Sequence, residues 1–118
     1  MTPATIEDIK KHLQKLPPGK VLELTLKLAR FKKENKELLT YLLFEAGDEQ
    51  GYVQSLQFEI DEMISETKKG PSAAVKKSLR RITRLITRQS KYMGNKSSAA
   101  ELHLHFCKCL LSHADDLL

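Results

Sequence analysis

The sequence predicts an all-α fold, a compact bundle or short α-α solenoid of five to six helices forming one domain over residues 1–118. Three observations predict it. Apolar residues recur at spacings of three and four along nearly the whole chain, as one buried helix face requires. The clusters Pro17-Pro18-Gly19, Gly47-Asp48, Gly70-Pro71-Ser72 and Gly94-Asn95 divide those runs into segments of helical length. Leucine is abundant and tryptophan absent, with three Tyr and four Phe thinly spread, which suits a helical core better than a β-sandwich. No run alternates convincingly as a strand, and no internal repeat exceeds one helical hairpin.

Thr5 followed by Asp8 resembles a capping box, and Ile6, Ile9, Leu13 and Leu16 then form a narrow seam, so a first helix starts here and stops at Pro17-Pro18-Gly19. The stretch Val21–Ala46 is the most apolar of the chain, with stripes of Val21, Leu24, Leu28, Phe31 and of Leu22, Leu26, Ala29. The run from Leu38 to Phe44 has almost no polar side. A helix apolar nearly all round is normally buried, so this stretch is expected to be the centre around which the other helices lie. Asn35 is a good N-cap and a poor interior residue, which favours two helices in a hairpin over one long helix across 20–46.

Gly47 closes that region and Asp48 is placed to cap the next helix, running to about Lys69. Its core face is Tyr52, Val53, Leu56, Ile60, Met63 and Ile64, with Phe58 on the far side. From Ala73 to Met93 a long helix offers Val75, Leu79, Ile82, Ile86 and Met93 to the core. Its opposite face carries Lys76, Lys77, Arg80, Arg81, Arg84, Arg88 and Lys91. Ser98 with Glu101 reads as the capping box of the last helix. There, His103 and Cys107 share the arc of Phe106, Leu110, Ala114 and Leu117, while His105 falls outside with Glu101, Lys108, Ser112 and Asp115.

The residues LARFKKENKELLTYLLFEAGDE and the acidic amphipathic helix after them resemble the opening of a family of small all-helical bacterial proteins, and also a helical hairpin of HEAT or armadillo type. The likeness spans about Ile6 to Glu66 and consists of leucine spacing plus the KENKELL segment. It implies a helical fold. That family brings no known activity and no functional residue.

Most motifs that carry chemistry fail on spacing. Gly19-Lys20 lacks the earlier glycine of a phosphate-binding loop, and Val21 stands where Ser or Thr is needed. Neither a nucleophile elbow nor an HExxH pair occurs. Asp61/Glu62 and Asp115/Asp116 are adjacent in sequence, so on a helix each pair diverges and reads as a solvated face. His103, His105, Cys107, Cys109 and His113 are zinc-binding types. On one helix, however, they separate into His103/Cys107 and His105/Cys109, at most two ligands to a side. The expectation is therefore no metal, no cofactor and no enzyme, with helix that forms without added metal. The two cysteines are too divergent on a helix to bridge one another, which favours a reducing compartment.

The N-terminal MTPATIEDIKK lacks the apolar core of a signal peptide, and no apolar run approaches the ~18–20 residues of a membrane span. A cytoplasmic protein without membrane attachment is expected. Charge is the feature hardest to dismiss. Residues 37–66 hold eight acids and no Lys or Arg, whereas 67–100 hold ten bases and no acid, within a net charge of +5. Such segregation has three explanations: acidic and basic helices neutralise one another, the basic face meets a polyanion such as nucleic acid or an anionic membrane surface, or it meets an acidic protein helix. The function expected is a non-enzymatic binding or scaffold module whose Lys76–Lys91 face meets an acidic protein partner, or which self-associates. The alternatives are weak nucleic-acid binding through the 73–93 helix, and a small enzyme or metal-binding protein using the last helix.

Overall fold

The fold is taken from a computed structural model that describes residues 1–67 and 71–113. The described residues are all-α, with six α-helices: α1 Ile6–Gln14, α2 Pro18–Phe31, α3 Lys33–Thr40, α4 Glu49–Thr67, α5 Ser72–Met93 and α6 Lys96–Ser112. A π-helical turn, Tyr41–Glu45, and a 3-10 turn, Ala46–Asp48, precede α4. Lys68, Lys69, Gly70, Ala114, Asp115, Asp116 and Leu117, which figure in the sequence reading, lie outside the described residues.

The chain divides into two compact units, Met1–Thr40 and Tyr41–Leu118. In the first, the Thr5 hydroxyl caps α1 by accepting the Asp8 N–H at 3.2 Å, as its sequence predicts. Pro17-Pro18-Gly19 ends α1 and also begins α2, because Pro18 at the first helical position gives up an N–H that would lack a partner anyway. The helical break expected within 20–46 is present at Lys32, whose backbone is extended (φ −141, ψ 147). Asn35 is not the cap there. Its side-chain amide instead donates to the Leu28 carbonyl at 2.8 Å, satisfying an acceptor near the end of α2.

The second unit contains the core. Val53, Leu56, Ile60 and Ile64 of α4 pack with Ile82, Leu85 and Ile86 of α5 and Leu102 of α6, while Tyr52, Met63, Leu79, Met93, Phe106 and Cys109 close around them. The expected faces of α4 and α5 are the faces buried, and Phe58 is exposed. Asp48 caps α4 by accepting the Gly51 N–H at 3.1 Å. Gly94 ends α5 in the left-handed region at φ 61, where only glycine is unstrained. Tyr41 is buried against Tyr52, with ring centroids 5.0 Å apart.

Three sequence expectations are corrected. The Val21–Ala46 stretch is not the buried centre: no residue of α1, α2 or α3 is buried, and Leu28, Phe31, Leu43 and Phe44 are 64–77% exposed. The helices that carry it are short, 14 residues in α2 and 8 in α3, too short to enclose a side chain from every direction. Second, α6 is capped by Asn95, not Ser98. The Asn95 Oδ1 accepts the Ser97 and Ser98 N–H groups, and its amide donates to Glu49 Oε2 at 2.7 Å, a link that Ser98 could not make from inside the helix. Third, α6 is rotated relative to the expected orientation. His103 and Cys107 are exposed, whereas His105 and Cys109 are half-buried. The face chosen runs through Leu102, Phe106 and Cys109, and Leu104 and Leu111 remain in solvent.

Candidate functional site: the arginine face of α5

The geometry of α5 follows from its sequence. Burial of Val75, Ile82, Leu85 and Ile86 fixes the rotation of the helix, which directs Lys76, Lys77, Arg80, Arg81, Arg84 and Lys91 into solvent and leaves Arg88 half-buried. From Lys77 to Lys91 the ridge is about 21 Å long at the α-helical rise. Where α5 meets α4, a concavity of ≈360 Å³ is lined by Arg81, Arg84, Leu85 and Arg88 of α5 and by Glu59 and Met63 of α4. It combines three guanidinium groups with an apolar floor of Met63 and Leu85. The sequence announced the arginines through their spacing. Met63 and Leu85 enter only once α4 and α5 are packed together.

Three acids of the neighbouring α4, Glu59, Glu62 and Glu66, are candidates for internal counter-charge. Glu59 reaches the rim of the arginine concavity, whereas Glu62 and Glu66 line a separate surface depression with Asp61 and Ser65. Among the described residues, no ion pair joins an acid to Lys76, Lys77, Arg80, Arg81, Arg84 or Lys91. Within this set, Arg84 Nε donates to the Arg80 carbonyl at 3.4 Å, along the same helix.

A second constellation lies where α4 meets α6, away from the basic ridge residues. His105 Nε2 is 2.7 Å from Asp61 Oδ1, the Cys109 thiol donates to the same oxygen at 2.9 Å, and Sγ lies 3.5 Å from Nε2. His105 and Cys109 are four residues apart and therefore share a face of α6. Asp61 is the residue sequence reasoning missed. It was read as half of a solvated pair with Glu62, and its part depends on α4 packing against α6, which no local pattern encodes. His113 turns its Nδ1 to the Cys109 carbonyl at 2.8 Å.

Electrostatics sets the protonation of this group. Burial, the largest single influence on Asp61, pushes its carboxyl up. The hydrogen bonds from Cys109 and His105 and the electrostatic influence of His105 and His113 outweigh it, so the carboxyl ends below the usual range. Burial, aided by the Asp61 carboxylate, pushes the Cys109 thiol up to about 11. A thiol so held is not an activated nucleophile near neutral pH. Nor do the three form a catalytic relay. A relay uses both ring nitrogens of its histidine, one toward the nucleophile and one toward the acid, whereas Nε2 of His105 faces Asp61 and Cys109 together.

Among the described residues no helix is long and apolar enough to cross a membrane. No family model, curated protein or solved structure matches the chain.

Proposed function

We propose that this protein is a non-enzymatic helical binding module whose α5 face, Lys76, Lys77, Arg80, Arg81, Arg84, Arg88 and Lys91, docks an acidic segment of a protein partner. The observation that supports this reading is the lack of internal neutralisation: six of these seven bases have no ion-pair partner among the described residues, although an acidic helix packs beside them. Like charges collected on one helix repel at i, i+4, so they cost stability that an anionic partner restores. The Met63/Leu85 floor beneath Arg81, Arg84 and Arg88 favours a peptide that brings an apolar side chain with its carboxylates. A phosphate backbone offers no such group. Tyr92 is the one aromatic along the ridge on which a base could stack, and single-strand binders use several.

The test is isothermal titration of the full chain with two probes: a synthetic peptide of alternating Glu and Leu, and a DNA duplex of equal charge. We expect the peptide to bind more tightly at physiological salt, and Arg81→Glu with Arg84→Glu to abolish that binding. DNA binding that persists through a rise from about 50 to 200 mM salt, against the loss expected from counterion release, with no peptide binding, overturns the reading in favour of nucleic acid.

A further inference from the structure

We infer that Asp61, His105 and Cys109 form a divalent transition-metal site of the zinc class, bridging α4 and α6. Their ligand atoms all lie within 4.8 Å of one another, and they converge pairwise on a single point. Tetrahedral zinc with bond lengths of about 2.0–2.3 Å sets its donors roughly 3.4–3.6 Å apart. Cys109 Sγ and His105 Nε2 already stand at 3.5 Å. The two shorter distances, 2.7 and 2.9 Å, both end on Asp61 Oδ1, and that side chain is half exposed. It can withdraw by about half an ångström or slightly more, to the spacing a metal requires, without disturbing the core.

The donor set selects the ion. One thiolate, one imidazole and one carboxylate suit zinc or cobalt, whereas calcium and magnesium take oxygen alone. Binding displaces the two protons now shared with Asp61: the thiol proton passes to solvent, the Nε2 proton passes to solvent or to Nδ1 by tautomerisation, and sulfur and Nε2 each donate a lone pair to the metal. Three protein ligands leave a fourth position for water or an exogenous donor. The alternative is a purely structural hydrogen-bond cluster. What favours the metal is that three donor atoms of different chemistry, from two helices, all converge within 4.8 Å of one another.

Cobalt(II) titration of the full chain, under reducing conditions, tests this. We expect one equivalent to give a thiolate-to-cobalt charge-transfer band that Cys109→Ser abolishes and Cys107→Ser leaves intact. Asp61→Asn and His105→Gln should each weaken binding by at least about tenfold, the lower range seen even for groups that only support a ligand. Asp61→Asn changes a half-exposed side chain, so it remains informative if Cys109→Ser fails to fold. A band that survives in Cys109→Ser, binding unchanged in Asp61→Asn, or no band at one equivalent overturns the proposal.

Discussion

The two units of this chain use leucine differently. Residues 1–40 are rich in it, yet α1, α2 and α3 bury no residue, while the described residues of the second unit gather ten buried apolar side chains. What separates them is the reach of their helices. α4, α5 and α6 run 19, 22 and 17 residues and pack against one another pairwise, so side chains between them are covered from every direction. α1, α2 and α3 run 9, 14 and 8 residues and cover none of their own side chains fully. Hydrophobic content alone does not make a core; enclosure does.

The contrast is broken or sharpened first by truncation. Ile60 is fully buried and Leu28 is 64% exposed, so Ile60→Ala should cost about 2–5 kcal/mol and Leu28→Ala no more than about 0.5 kcal/mol. Urea unfolding midpoints of both variants measure the difference. Equal losses would mean that Leu28 is buried against something in solution.

A smaller effect is expected at the turn between α5 and α6. Asn95→Ala removes both the cap of α6 and the bond to Glu49, which should cost about 1 kcal/mol, within the range for lost caps. Ser98→Glu or Ser98→Ala probes the competing cap; we expect Ser98→Ala to cost less than Asn95→Ala in the same melting experiment.

These residues show where sequence was enough. The faces of α4 and α5, the capping roles of Thr5 and Asp48 and the exposure of Phe58 were all legible, because each depends on spacing or on chemistry within one turn of helix; the break within 20–46 is present, but at Lys32 and not through an Asn35 cap. The orientation of α6 was not. The run LHLHFCKCLL has apolar groups on every side, so the arc with Leu104, Cys107 and Leu111 and the arc with Leu102, Phe106 and Cys109 are nearly equivalent until α4 offers Asp61 to one of them. The candidate metal ligands inherit that ambiguity. For the basic face the opposite holds: its seven residues followed from periodicity, and only the Met63/Leu85 floor required the fold.

The smallest expected effect is at high pH. Burial first, then the Glu49 carboxylate, raises the Tyr41 phenol above its ordinary value. A raised acid resists ionisation in the folded state, so its contribution is intact below the ordinary tyrosine range near 10 and is lost as pH climbs through the higher folded value. Tyr41→Phe should therefore flatten the alkaline limb of a stability-versus-pH curve. An unchanged limb would show that this phenol titrates normally.

The claim on which the functional reading rests is that Lys76, Lys77, Arg80, Arg81, Arg84 and Lys91 of the basic face of α5 have no ion-pair partner among the described residues. Its most direct test is the melting temperature, at low salt, of a variant carrying Lys77→Gln, Arg80→Gln and Arg84→Gln. These changes remove like-charge pairs at i, i+4, each worth about 0.2–0.5 kcal/mol of repulsion, so we expect the temperature to hold or rise. A clear fall at low salt that shrinks at high salt would show that the acids of α4 neutralise this face, and would contradict the proposal that it is kept for a partner.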